Sequence, residues 1–111
     1  QAISLSPVDP HRYLFQAIAA GAALTAGDDA QALAYANASL RANSQHISTL
    51  RVKAVAEWRL DREDDARRSI ARLLELSPGA TVSRYLASAP NTEFRIGREV
   101  ARILGQAGLP A

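Results

Sequence analysis

The chain has 111 residues, 48% hydrophobic but only 5% aromatic, with 13 basic and 11 acidic side chains for a net charge of +2. It has no cysteine and only two histidines, His11 and His46, which excludes a disulfide framework, a cysteine-bound zinc and a cysteine nucleophile, and argues against a multi-histidine metal site. Alanine makes up about a fifth of the chain, and because it is the best helix former the composition predicts an all-helical, closely packed protein.

In chain order, Asp9 is placed to cap a first helix with Pro10 at its first position, where the missing N–H costs nothing. Tyr13, Ala17, Ala20 and Leu24 then recur at three- and four-residue steps until Gly27. Asp28 is placed to cap a second helix with Leu33, Ala36 and Leu40 as its apolar stripe. Ile47, Leu50, Ala54 and Trp58 mark a third helix; Ala66, Ile70, Leu73 and Leu74 mark a fourth, with Arg67, Arg68 and Arg72 mostly outside. After Pro78-Gly79 a shorter fifth helix is predicted from Thr81 through Val82, Tyr85 and Leu86, broken at Ala89-Pro90-Asn91. A sixth runs from about Thr92 through Phe94, Val100 and Leu104 to the stop at Gly108-Leu109-Pro110. No strand alternation interrupts this reading of six helices in three antiparallel hairpins. The longest apolar stretch, Ala17 to Leu24, is too short to span a bilayer, and no signal peptide is visible. Gln1 in place of a start methionine suggests a piece excised from a larger protein, with a cytoplasmic location expected.

A period of 34 residues underlies these elements. Leu5-Ser6-Pro7 recurs as Leu76-Ser77-Pro78, and Gly27-Asp28-Asp29-Ala30-Gln31-Ala32 aligns with Asp61-Arg62-Glu63-Asp64-Asp65-Ala66. Within the first unit small or turn residues fall at Ala20, Gly27, Ala32, Ser39 and Ser44; in the second the same places hold Ala54, Asp61, Ala66, Leu73 and Pro78. This pattern resembles the tetratricopeptide repeat, although Gln16 and Leu50 stand where that family has a large aromatic, Asp61 replaces the turn glycine and Ser44 the closing proline. The resemblance implies a right-handed α-solenoid in a single domain: residues 1–9 as the lead-in from a preceding repeat, 10–46 and 47–80 as two repeats, and 81–111 as a divergent capping hairpin. The runs Ser39–Asn43, Ser48–Val52, Leu73–Leu86 and Ala107–Pro110 are similar to the repeat region that follows a class III nucleotide cyclase or winged-helix domain in some bacterial proteins. That similarity implies a regulatory or scaffolding tail.

Candidate functional residues follow from the same frame. Asp28-Asp29 and Glu63-Asp64-Asp65 lie at predicted helix starts, where carboxylates satisfy free N–H groups and favour the helix dipole, so capping outweighs acid–base catalysis. Neither histidine has a second ligand at i+3 or i+4, no glycine-flanked nucleophile is present, and Gly97 and Gly105 form no phosphate loop. No cofactor is expected. Arg62, Arg67, Arg68 and Arg72 are interspersed with acids, with Asp64 and Arg68 expected to pair at i, i+4, so nucleic-acid binding is disfavoured.

Arg51, Val55 and Arg59 share one face of the third helix, with Trp58 beside it. The resemblance implies that this strip lines a concave groove facing a protein or peptide partner, continued in the first unit by Leu14, Ala17 and Leu24. The competing reading puts Trp58 in the core and the arginines on the surface as cover. The apolar face of the first helix, uncovered by any preceding repeat, is expected to mediate self-association. The reading is thus of a non-catalytic interaction module, with a regulatory segment of a nucleotide cyclase or transcriptional regulator as the alternative.

Overall fold

The computed structural model describes residues 12–88 and 95–111, without the side chains of residues 12–14, 86, 88 and 95–97. Six helices follow in order: α1 Arg12–Thr25, α2 Asp29–Ala42, α3 Ile47–Arg59, α4 Glu63–Leu76, α5 Val82–Ser88 and α6 Arg95–Gln106. Among the described residues there is no strand, so the fold is all-α. The lead-in 1–9, the Asp9-Pro10 cap, His11, the break at Ala89-Pro90-Asn91, and Thr92 and Phe94 lie outside the described residues.

The turns explain why the two hairpins match. At the end of α1, Gly27 adopts φ 87° and its N–H bonds the Leu24 carbonyl, while Asp28 N–H reaches the Ala23 carbonyl at 2.9 Å. At the end of α3, the same pair of bonds runs from Asp61 to Trp58 and from Arg62 to Glu57 at 2.8 Å, with Asp61 at φ 64°. Both are Schellman caps, which need a left-handed residue and normally take glycine. Asp28 then caps α2 by accepting the Gln31 N–H at 3.1 Å, satisfying a donor that the helix start leaves without a partner. The start of α4 has no side-chain cap from Arg62, and its three acids occupy the first turn instead. Thr81 caps α5 through the Arg84 N–H at 3.1 Å. Gly108, at φ 122°, closes α6 with a third Schellman pair in which Leu109 N–H bonds the Leu104 carbonyl.

Packing repeats with the same 34-residue offset. Ala20 and Ala54, Ala32 and Ala66, and Ser39 and Leu73 all have no exposed surface, and Ile70 matches the sealed Ala36 at 1%. Helix α1 packs on α2, α2 on α3, and α3 on α4, while α1 and α3 also touch. The third pair is placed differently: α6 packs along α3, while α5 meets it where Arg51 lies over Tyr85. Val100, Ile103, Leu104, Ala107 and Leu109 thereby join Leu50, Val55, Ile70 and Leu73 in one apolar cluster. Each buried Leu or Ile contributes about 1.5–3 kcal/mol by leaving water.

Helix α3 is therefore central, with α1, α2, α4 and α6 around it. Its buried set, Thr49, Leu50, Ala54, Val55, Ala56 and Glu57, is broader than the expected stripe, and Ile47 and Trp58 are only partly buried. A helix flanked on several sides loses the one-sided pattern by which surface helices are recognised. Two of its buried groups are polar. Thr49 Oγ1 lies 2.6 Å from His46 Nδ1 and 3.5 Å from Ser39 Oγ, joining the α2 and α3 ends.

Two outcomes follow. Asp61→Gly is expected to raise stability by about 0.5–1 kcal/mol, since glycine adopts the left-handed turn without a Cβ penalty; denaturant unfolding would check this. Burial, and secondarily the Arg51 charge, lower the His46 pKa from its ordinary 6.5. The folded state then favours neutral His46, so its contribution is complete above about pH 6.5 and is lost as pH falls through the depressed value. Unfolding midpoints should fall more steeply with acidification below that pH in the wild type than in His46→Gln.

Candidate functional site

The strip proposed on α3 does not assemble into one open face. Val55 has no exposed surface and Leu24 only 4%, so neither can meet a partner. This corrects their expected role, because the i, i+4 spacing fixes a face of α3 but not which helices pack on it. Arg59 also turns inward: its Nε lies 3.1 Å from Asp29 Oδ1 on α2, and its Nη1 lies 4.0 Å from Glu99 Oε2 on α6. Asp29 Oδ1 and Arg59 Nη1 nonetheless lack hydrogen-bond geometry, so the contact is an ion pair that ties three helices rather than a directed bond. Trp58 packs on the core edge and carries the Arg67 guanidinium 5.5 Å over its ring, which favours the reading as core and cover. Ala17 is partly buried, and the side chain of Leu14 lies outside the described residues.

Arg62, just before α4, and the α4 arginines are all paired with nearby acids. Arg62 reaches Asp65 at 2.9 Å, Arg67 reaches Asp64 at 3.3 Å, Arg68 pairs with Asp65, and Arg72 reaches Glu75 at 3.2 Å. The expected Asp64–Arg68 pair is replaced by these i, i+3 pairs, which suit the short aspartate side chain. Opposite charges so interleaved leave no uniform basic stripe for a phosphate backbone to follow.

Two arrangements were not visible in the sequence. The first is a polar seam between α2, α3 and α4. Glu57, 2% exposed, accepts the Ser69 hydroxyl at 2.7 Å and the Lys53 ammonium at 2.8 Å, and Lys53 also donates to Asn37 Oδ1 at 3.0 Å. Each of these groups satisfies another, which is what makes a buried carboxylate tolerable. Nothing in the local pattern marks Glu57 as buried, since a carboxylate one turn after Lys53 reads as half of a surface i, i+4 ion pair. Its repeat-equivalent, Ala23, is the only hint.

The second arrangement is around Arg51, where α3 meets α5. The Arg51 guanidinium lies 5.4 Å over the Tyr85 ring and donates to Ser48 Oγ at 3.2 Å. Burial pulls the Arg51 pKa below its ordinary value, with the Tyr85 phenol acting the other way. Burial raises the Tyr85 pKa, opposed by Arg51, which keeps the phenol protonated as a donor. Of the strip residues, Arg51 lines a cleft.

The outer face of α1 is the remaining notable surface. Phe15 and Ile18 are 74% and 73% exposed and stand at i, i+3, with exposed Ala22 one turn on. Among the described residues no group of acids and histidines could hold a metal ion, and no helix is long and apolar enough to cross a membrane. Comparison of the chain with protein families, with curated proteins and with solved structures gives no match.

The seam yields a quantitative expectation. Lys53→Met should destabilise the fold by about 2 kcal/mol, by leaving the Glu57 charge half-compensated, and Ser69→Ala by about 1 kcal/mol. Denaturant unfolding of the double variant would then show coupling; strict additivity would mean that the three groups do not act together.

Proposed function

We propose that this chain is a non-catalytic helical-repeat module of tetratricopeptide type, which acts by presenting helix faces to another protein chain. The repeated turn geometry at Gly27 and Asp61 and the matched burial of Ala20 with Ala54 support the repeat reading. Stacked helix pairs need neighbours to cover their outer faces, and a terminal pair leaves one face open. The observation that carries the reading is the exposed Phe15–Ile18 stripe on α1. Two large apolar side chains at helical spacing form a patch that water does not favour, and such patches mark contact surfaces.

A second copy of the chain is the partner proposed for this stripe, α1 packing against its symmetry mate. A two-fold contact is self-complementary and needs only one patch per chain. In a longer protein the same contact would bring two parent molecules together, which is the regulatory role that the similarity to cyclase-associated and winged-helix-associated repeat regions implies.

Sedimentation of the wild-type chain across a concentration series is expected to show a reversible monomer–dimer equilibrium. The Phe15→Asp/Ile18→Asp double variant should weaken it by more than about tenfold while keeping the helical circular-dichroism spectrum. A wild-type chain that stays monomeric at the highest concentration would remove self-association through α1.

A further inference from the structure

The cleft beside Arg51 has a composition that none of the helix packing requires. It measures about 150 Å³ and lies between α3, the α4–α5 connection, α5 and the C-terminal segment. Its apolar lining is Ile47 and Ala80, both partly exposed, with Leu73 and Leu109 almost sealed from solvent; Arg51, Arg84 and Tyr85 are among its polar lining, and no acidic residue lines it.

Arg51 stands apart from the other arginines of α3 and α4. Arg59, Arg62, Arg67, Arg68 and Arg72 each have a carboxylate within ion-pair distance. Arg51 has none among the described residues, although it is partly buried against Tyr85. Taking a guanidinium out of water without a counter-ion is unfavourable, and its lowered pKa records that. A planar guanidinium offers a fork of N–H donors that matches a carboxylate. Tyr85 lines the same cleft. The apolar side calls for a ligand with a hydrocarbon portion, and a cavity of about 150 Å³ holds roughly a six-carbon body. Inorganic phosphate would meet the guanidinium but would set its oxygens against Ile47 and Ala80.

We propose that this cleft binds a small organic carboxylate, its anionic end on Arg51 and its short branched hydrocarbon end on Ile47 and Ala80. Occupancy would clamp α3 to α5 and so strengthen the docking of the C-terminal hairpin on the second repeat. This site is independent of the α1 contact.

The test is a titration of the ¹⁵N-labelled chain with isovalerate, followed in the Arg51 side-chain Nε–H and the backbone amides of residues 80–85. Isovaleramide serves as the uncharged isostere and inorganic phosphate as the bare anion. Saturable shifts with a Kd of about 1 mM are expected for isovalerate, with at least about tenfold weaker binding of both controls. Arg51→Gln should weaken isovalerate about tenfold, and Ala80→Leu, which fills the cleft and leaves Arg51 in place, should abolish the shifts. Saturating isovalerate should also raise the unfolding temperature of the wild type but not of Ala80→Leu. Equal binding of isovaleramide or phosphate, no saturable shift, or an unchanged Arg51→Gln response would overturn the proposal. If either variant loses its dispersed amide spectrum, the three-probe comparison on the wild-type chain decides alone.

Discussion

Methyl-sized contacts between helices are the constraint from which the rest of this structure follows. Ala20, Ala32, Ala36, Ala54, Ala56 and Ala66 have no exposed surface, and they are spread over all four helices of the two hairpins. Small side chains let helix backbones approach closely, and interiors at crystal-like density leave no slack for larger ones. Close approach demands short, fixed turns, which is why the chain accepts a non-glycine residue at φ 64° to close α3 just as Gly27 closes α1. The left-handed turn costs aspartate some strain, and the hairpin geometry it secures keeps Ala54 and Ala66 in place.

The same closeness governs where polar groups can sit. Helix α3 is enclosed by neighbours, so any polar side chain on it must find a partner inside the protein. Glu57 does so through Ser69 and Lys53, Thr49 through His46 and Ser39, and Arg59 through Asp29 and Glu99. These ties run to α2, α4 and α6, so the central helix is held in a defined rotation as well as a defined position. Arg51 is held by Ser48 and the Tyr85 ring with no carboxylate beside it among the described residues, and it lies where the packing of α5 leaves a gap.

Much of the architecture was legible in the sequence because it depends on local signals. The six helices, the Asp28 cap and the Gly27 and Gly108 stops all rest on residues within a turn or two of one another, and the 34-residue offset shows as these local signals repeated along the chain. The candidate groove was not legible, because burial of Val55 and capture of Arg59 depend on helices distant in the chain. Glu99 on α6 could not be linked to Arg59 from spacing. Likewise the burial of Glu57 depends on Ser69 of the next helix, and Phe15 falls outside the stripe that the period selects. Local periodicity tells which side chains share a face, and only the fold tells what stands opposite.

Trp58 offers a practical consequence of the way α3 and α4 meet. It is the chain's only tryptophan, and its indole is sandwiched between the core edge and the Arg67 guanidinium. Its emission therefore reports on a single seam, that between the two helices of the second hairpin. The molecule thus carries an intrinsic fluorophore that can distinguish separation of this hairpin from loosening elsewhere, with no label added.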